Sequence, residues 1–317
     1  MNIKTLEQAF DAVFHDKDAF NDFCSLDLSK EIEPFTSGTR EVVRITEKLK
    51  KYLRFVDRVI LRHLNKNLEV AHSYIKGKSS LTAVQAHAGS TNFFVTDIRD
   101  FFSKITEEHV RRVFDRDKHL IPIEDIEEHL SHIVRMTTWE GVIPVGFPTS
   151  PQISNAFLLE FDAAFHNHCA ERNLIYTRYS DDIIVSGKTF LGFDALQDRA
   201  QELLSASASP SLTINSEKTR FTHRGNKVKI LGLVITPDGR VTIDSKHKQT
   251  IENLFHFYIN DKSKFNALLQ KKFNGNPHSL FGLLHYAKSI DSRYLDKLQR
   301  KYGANTLSAL MEDKWRG

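Results

Sequence analysis

The chain is poor in cysteine. Cys24 and Cys169 are the only two in 317 residues, and neither belongs to a CxxC pair. That excludes a disulfide framework and a zinc ribbon and leaves both as small buried hydrophobes. No apolar run approaches the ~18 residues that a membrane helix requires. The first twenty residues, MNIKTLEQAFDAVFHDKDAF, carry acids throughout, which does not fit a signal peptide. A cytoplasmic protein without a membrane partner is therefore expected. Internal repeats and low-complexity tracts are also missing, as is strict βαβ alternation, so the pattern fits an α+β arrangement with an antiparallel sheet.

What is present is an ordinary globular composition, 40% hydrophobic and 26% charged, on a chain long enough for one to three subdomains. The net charge of +4 is uneven. From Val241 to Gly317 there are thirteen Lys/Arg against seven Asp/Glu, a balance of +6, which leaves the first 240 residues at −2. A basic C-terminal end favours a polyanionic partner there.

Periodicity predicts one amphipathic helix over residues 1–30, a turn and short strand in EPFTSGTREVVRI, and a long helix in TEKLKKYLRFVDRVILRHLN. STNFFVTDIRDFFSKIT reads as an apolar strand ending at an acid, and residues 107–137 as helical. A Gly/Pro loop, WEGVIPVGFPTSP, precedes a helix that Pro151 opens and that runs to about Arg172. SLTINSEKTRF and KVKILGLVITPDGRVTI alternate like strands, the second around a Pro-Asp-Gly turn, and the remainder is helical and basic. Tyr286, Tyr294 and Tyr302 read as a packed face of those helices.

The stretch YTRYSDDIIVSG, residues 176–187, sets two adjacent aspartates at the tip of a predicted hairpin. Turn chemistry needs only one. Asp97 ends the apolar strand, and pairing of these strands in one sheet would bring Asp97, Asp181 and Asp182 to one edge. Carboxylates that close repel unless a cation neutralises them, and hard oxygen ligands suit Mg²⁺. Two such ions about 3.5–4 Å apart would activate a 3′-hydroxyl and stabilise a leaving pyrophosphate. On its own, an Asp-Asp pair is more readily a solvated turn than a metal site.

Further segments decide between these readings. YSDDIIVSG resembles the Y-x-D-D signature of reverse transcriptases, and VTDIRDFFSKI resembles their first palm motif. IPVGFPTSPQISNAFLLEFD is similar to the intervening loop and helix of the retron and group II intron branch. NSEKTRF and ILGLVI match the lysine-bearing motif and primer grip. SGTREVVRITEKLKKYLRFVDRVIL and AHSYIKGKSSLTAVQAH resemble fingers segments of bacterial retron-type enzymes, and LLHYAKSIDSRYLDKLQRKYG resembles a retron thumb.

The resemblance implies a right-hand polymerase fold with fingers, an antiparallel palm sheet and a helical thumb. Its division is an N-terminal helical extension at 1–30, fingers at 31–95 and 107–145, palm at 96–106 and 146–240, and thumb at 241–317. It implies that Asp97, Asp181 and Asp182 hold two Mg²⁺ ions, or Mn²⁺ in their place, with Asp182 the looser ligand and the main chain of Ile98 assisting. Phe102 matches a steric gate against ribonucleotides, and Arg40 an arginine gripping the dNTP triphosphate. Val145, Gly146 and Phe147 match the loop against the nucleotide, and Lys218 a proton donor to pyrophosphate. Leu231, Gly232 and Leu233 match the primer grip. Lys246, Lys248, Lys271, Lys272, Arg300 and Lys301 would form a thumb surface for nucleic acid, whose affinity would fall steeply with salt.

Two departures stand out. Where retron enzymes carry N-A-x-x-H and V-T-G, this chain has TAVQAH at 82–87 and ILG at 230–232. His87 is then either part of RNA recognition or a structural histidine. The implied activity is RNA-directed DNA synthesis that copies part of a structured noncoding RNA into a branched RNA–DNA product, msDNA, in antiphage defence. An effector protein would be encoded separately. A defence-associated or abortive-infection reverse transcriptase without a retron RNA is the alternative within the enzyme class. A catalytically idle RNA-binding scaffold is the alternative outside it, although binding alone would not need three converging acids.

Overall fold

A computed structural model of the protein describes residues 4–15, 17–38, 40–189, 193–225 and 227–311, apart from the side chains of Arg40, Phe193, Asp194 and Pro277. The chain divides into two compact units, residues 1–79 with 93–221 and residues 80–92 with 222–317. Among the described residues no helix is long and apolar enough to cross a membrane.

The first unit begins with three short pieces where one helix was expected: Leu6–Phe14, Phe20–Cys24 and a 3₁₀ turn, Leu28–Lys30. Thr5 and Gln8 form a capping box, and His15 closes the first piece in the left-handed region at φ 48°. The aromatic rings of Phe10, Phe14 and Phe23 meet Tyr52 and Phe55 at centroid distances of 5.3 to 5.8 Å. The latter two belong to the helix Glu47–Val59, which Thr46 caps. Each such ring pair adds about 0.5–1.5 kcal/mol beyond its buried area, so the N-terminal segment is a packing element of this unit. Cys169 is buried and Cys24 half-buried.

Strand β1, Ile32–Ser37, pairs antiparallel with β2, Arg40–Ile45, from Ile32↔Ile45 to Ser37↔Arg40. Only the second strand was read from sequence. All of β1 after Ile32 is exposed and it contains Pro34, so it carries no period-two signal.

The central sheet has the order β4-β5-β3-β6, with β3 at Asn92–Asp97, β4 at Ile175–Tyr179, β5 at Asp182–Gly187 and β6 at Arg220–His223. Phe93, Phe94, Ile183, Ile184 and Val185 are buried in it. The helix expected to run on from Pro151 is two helices, Ser150–Phe157 and Leu159–Ala170, broken at Leu158, where ψ is 6°. The stretch 107–137 likewise divides into Glu107–Asp117, a 3₁₀ turn Lys118–Leu120, and Ile126–Thr137. Pro122 explains that break: it forces Ile121 out of the helical region, to φ −81° and ψ 121°.

The second unit holds a three-stranded antiparallel sheet, β7 Val228–Ile230, β8 Leu233–Ile235 and β9 Val241–Ile243. Among the described residues five helices follow, Ser245–Asn260, Lys262–Phe273, Pro277–Ile290, Ser292–Tyr302 and Ala304–Met311. Side chains of Asp244, Asp261, Asn276 and Asp291 cap the first four. Their core includes Leu254, Phe255, Phe265, Leu284 and Leu298. Tyr294 is buried and Tyr302 half-buried in it, but Tyr286 is exposed, so the eight-residue tyrosine repeat is not one packed face. The segment 80–92 is held to this unit by Arg224, whose Nη1 donates to the carbonyls of Ala88 at 2.8 Å and Ser90 at 3.2 Å. His87 within it is fully buried.

Candidate active site

The β4–β5 hairpin turns through Ser180 and Asp181, with Tyr179 facing Asp182 in register. Ser180 lies in the left-handed region at φ 59°. β3 lies beside β5, and beyond its end the Ile98 N–H donates to the Asp181 main-chain carbonyl at 3.0 Å. Asp97, Asp181 and Asp182 therefore line one cavity of about 800 Å³, together with Ile98, Phe102, Val145, Gly146, Phe147 and Lys218.

Asp97 is buried; its Oδ2 accepts from Lys218 Nζ at 2.6 Å, while its Oδ1 is buried without a hydrogen-bond partner. Lys218 is brought there because the 213–219 segment runs beside β3: Asn215 N donates to the Asp97 carbonyl at 2.9 Å and Arg99 N to the Thr213 carbonyl at 2.9 Å. Burial, then the charges of Asp181 and Asp97, push Asp182 up to about 6. An excess of carboxylate and an unpartnered oxygen are what a hard divalent ion would satisfy. The shell is not preformed, however: among the described residues no three His, Cys, Asp or Glu side chains are gathered closely enough to hold an ion.

The raised Asp182 carries a signed prediction. A carboxyl that is harder to ionise in the folded chain than its ordinary value of 3.8 costs no stability below that value, and its full cost is reached above about 6. In protein stripped of divalent ions, Asp182→Asn should raise the melting temperature at pH 7.5 by about 2–6 °C, corresponding to about 1–2 kcal/mol after allowance for partial exposure. The difference should vanish near pH 4. A melting series in EDTA across that range checks it, and an unchanged difference at every pH would refute it.

Phe102 lines the cavity edge-on to buried Phe101, with ring centroids 5.5 Å apart. Val145 accepts from Val43 N at 2.9 Å, tying β2 to the loop. Gly146 has φ 120°, and a Cβ there would lie 2.3 Å from the Val43 carbonyl oxygen, so only glycine permits this approach. Arg40 lies on β2 at the Ser37 register, while its side chain falls outside the described residues.

The remaining expected residues belong to the second unit. Leu231 and Gly232, at φ 49° and 77°, make the two-residue β7–β8 turn, and Leu233 is buried at the start of β8. Lys246, Lys271, Lys272 and Arg300 are exposed. Lys248 and Lys301 are engaged within the helices: Lys248 Nζ lies 5.0 Å from the Tyr294 ring centroid, and Lys301 Nζ pairs with Glu252 at 3.0 Å.

Sequence reasoning missed the residues behind the turn. Arg178 and Asp162 are fully buried. Arg178 Nε and Nη2 donate to Asp162 Oδ1 at 2.8 Å and Oδ2 at 2.6 Å, and the Tyr176 hydroxyl donates to Oδ1 at 2.8 Å. Burial opposes the charge on Arg178, but Asp162 more than offsets it and the guanidinium pKa is raised. An arginine between the aromatic strand residues Tyr176 and Tyr179, and an aspartate inside the apolar run LLEFDAAF, were the available signal.

Comparison with known proteins defines the class. Residues 29–235 match the family described as reverse transcriptase (RNA-dependent DNA polymerase). The chain belongs to that family, and the right-hand polymerase fold follows from this membership. It is 24% identical to the retron Ec83 reverse transcriptase of Escherichia coli over 87% of this chain and 86% of that one. With the retron Ec86 enzyme of E. coli it shares 26% over 85% and 79%, and with the retron Ec73 enzyme 28% over 73% of each. These relatives bear out the bacterial retron type read from the motifs. A foamy viral protease–reverse transcriptase solved with double-stranded DNA aligns at TM-score 0.43 and 16% identity, over 88% of this chain and 43% of its own.

Proposed function

We propose that this RNA-directed DNA polymerase copies part of a structured noncoding RNA into a branched RNA–DNA product, msDNA, from dNTPs. The observation that carries the polymerase site is the 3.0 Å hydrogen bond from Ile98 N to the Asp181 carbonyl, which joins the strand bearing Asp97 to the turn bearing Asp181 and Asp182. In this reading the three carboxylates, with the Ile98 main chain, hold Mg²⁺, or Mn²⁺ in its place. Bound there, the ions supply activation of the attacking hydroxyl and charge stabilisation of the leaving pyrophosphate. Lys218 provides a proton at the same edge. Arg40 and the loop Val145 to Phe147 seat the nucleotide, and Leu231 to Leu233 guide the primer. Residues 31–95 and 107–145 act as fingers, 96–106 and 146–240 as palm, and 241–317 as thumb. Packing nevertheless groups 222–240 with the C-terminal helices.

Support for a polyanionic partner extends beyond the exposed thumb residues Lys246, Lys271, Lys272 and Arg300. In the first unit Arg54, Arg58, Arg62, Lys66 and Lys76 line a cavity of about 560 Å³, with Asp57 the only acid there among the described residues. Arg54 and Arg58 lie one turn apart on the helix Glu47–Val59, Arg62 follows in a 3₁₀ turn, Leu61–His63, and Tyr74 lines both this cavity and the catalytic one. Phosphate contacts of this kind are displaced by salt.

Sequencing of nucleic acid copurified from the native host tests the retron reading. A defined RNA covalently joined to DNA is expected; free DNA without a dedicated RNA would overturn it. Deletion of the neighbouring genes followed by phage challenge tests the defence role and the separately encoded effector. Phe102→Ala is expected to admit ribonucleotides, narrowing dNTP-over-rNTP selection by about 10–100-fold. Competition between the two sugars on one primer checks this, and unchanged discrimination would remove Phe102 from the gate.

A further inference from the structure

We propose that Arg178, Asp162, Asn155 and Ser73 form a positioning device that clamps the backbone of Ser180 and thereby sets Asp181 and Asp182 at the cavity. This inference rests on the polymerase reading of that cavity. A serine at φ 59° occupies a conformation that L-residues rarely adopt, at a cost of about 1–2 kcal/mol. Such a residue persists only where its surroundings over-determine it.

Here both of its backbone polar groups are held. Ser180 N donates to Ser73 Oγ at 2.7 Å, and the Ser180 carbonyl accepts from Arg178 Nη1 at 2.8 Å. The same Nη1 donates to Asn155 Oδ1 at 3.0 Å, and Asn155 Nδ2 donates to the Ser73 carbonyl at 2.9 Å. The contacts close into a ring running Arg178, Asn155, Ser73, Ser180 and back to Arg178. Asp162 fixes the guanidinium plane through two further bonds, at 2.8 and 2.6 Å. The main chain of Arg178 is itself tethered, its N–H to the Val70 carbonyl and its carbonyl to His72 N, each at 2.8 Å.

Stability alone does not explain this choice of residues, because well-packed apolar side chains replace buried ion pairs at little or no cost. What a guanidinium adds is a rigid fork that reaches Asp162, Asn155 and the Ser180 carbonyl together. A lysine ammonium presents one point charge and cannot hold all three. None of these residues touches the reacting atoms; they act through the geometry of the turn.

The test uses the full chain with Arg178→Lys, Ser73→Ala and the conservative Ser73→Thr. Each is measured for primer extension on an RNA template, thermal unfolding, and hydrogen–deuterium exchange of the peptide covering residues 176–184. Arg178→Lys should remain folded, lose about 10–100-fold in kcat with the dNTP KM within about threefold, and exchange faster across the turn. Ser73→Ala should change in the same direction by about tenfold, and Ser73→Thr, which keeps the hydroxyl, should restore both kcat and exchange. Wild-type kcat per folded molecule in Arg178→Lys and Ser73→Ala, or lost kcat with unchanged exchange in the turn, would overturn the proposal. If Arg178→Lys does not fold, the two Ser73 variants decide. A wild-type chain that incorporates no nucleotide would instead count against the polymerase reading, and the exchange data would still judge the clamp.

Discussion

Asp181→Asn is expected to abolish dNTP incorporation, lowering kcat by about 10³-fold, while leaving the fold intact. An amide removes one anionic oxygen from a site whose proposed task is charge stabilisation, and single groups of that kind are worth about 10²–10³-fold. The fold should survive because the contact made by Asp181 with Ile98 uses its main-chain carbonyl, which the substitution leaves in place. Primer extension on an RNA template with Mg²⁺ and dNTPs, beside a melting curve, measures both. Incorporation within tenfold of wild type would remove Asp181 from the chemistry.

Asp162→Ala should cost more stability than any surface change. It strands the buried guanidinium of Arg178 and takes the acceptor from the Tyr176 hydroxyl. Breaking a buried pair in this way costs about 3–5 kcal/mol, or roughly 6–20 °C in melting temperature for a unit of this size. Adding Arg178→Met should return most of that loss, because an apolar pair needs no counter-charge. Denaturant titrations of the single and double variants measure the recovery. Equal destabilisation of both would mean that the charge pair is not the source of the cost. If the double variant refolds yet stays slow, stability and placement of the turn are separate properties of the same side chains.

The hairpin at 175–187 was legible because its strands alternate around a polar tip, and Asp97 was legible because it ends an apolar run. Their adjacency depends on strand pairing, which no local pattern carries; the sheet order supplies it. β1 was invisible because exposed residues and Pro34 erase the alternation that marks a strand. The helix breaks near Pro122 and Leu158 were lost because hydrophobic spacing continues across them. Asp162 and Arg178 escaped notice because burial of a charge depends on a partner sixteen positions away. The cavity at Arg54, Arg58 and Arg62 was hidden by averaging: the first 240 residues sum to −2, and no total shows where like charges meet around one cavity.

The β1–β2 ribbon has a consequence for the chain's behaviour in a crowded cell. Two-stranded ribbons offer open flanks on which identical molecules can stack. One flank of this ribbon is occupied where Val43 N is bonded to Val145, and the other is interrupted at Pro34, opposite Val43, which has no N–H to offer a neighbour. The proline that concealed the strand thus also removes a donor from its outer flank, where a second copy would otherwise find one.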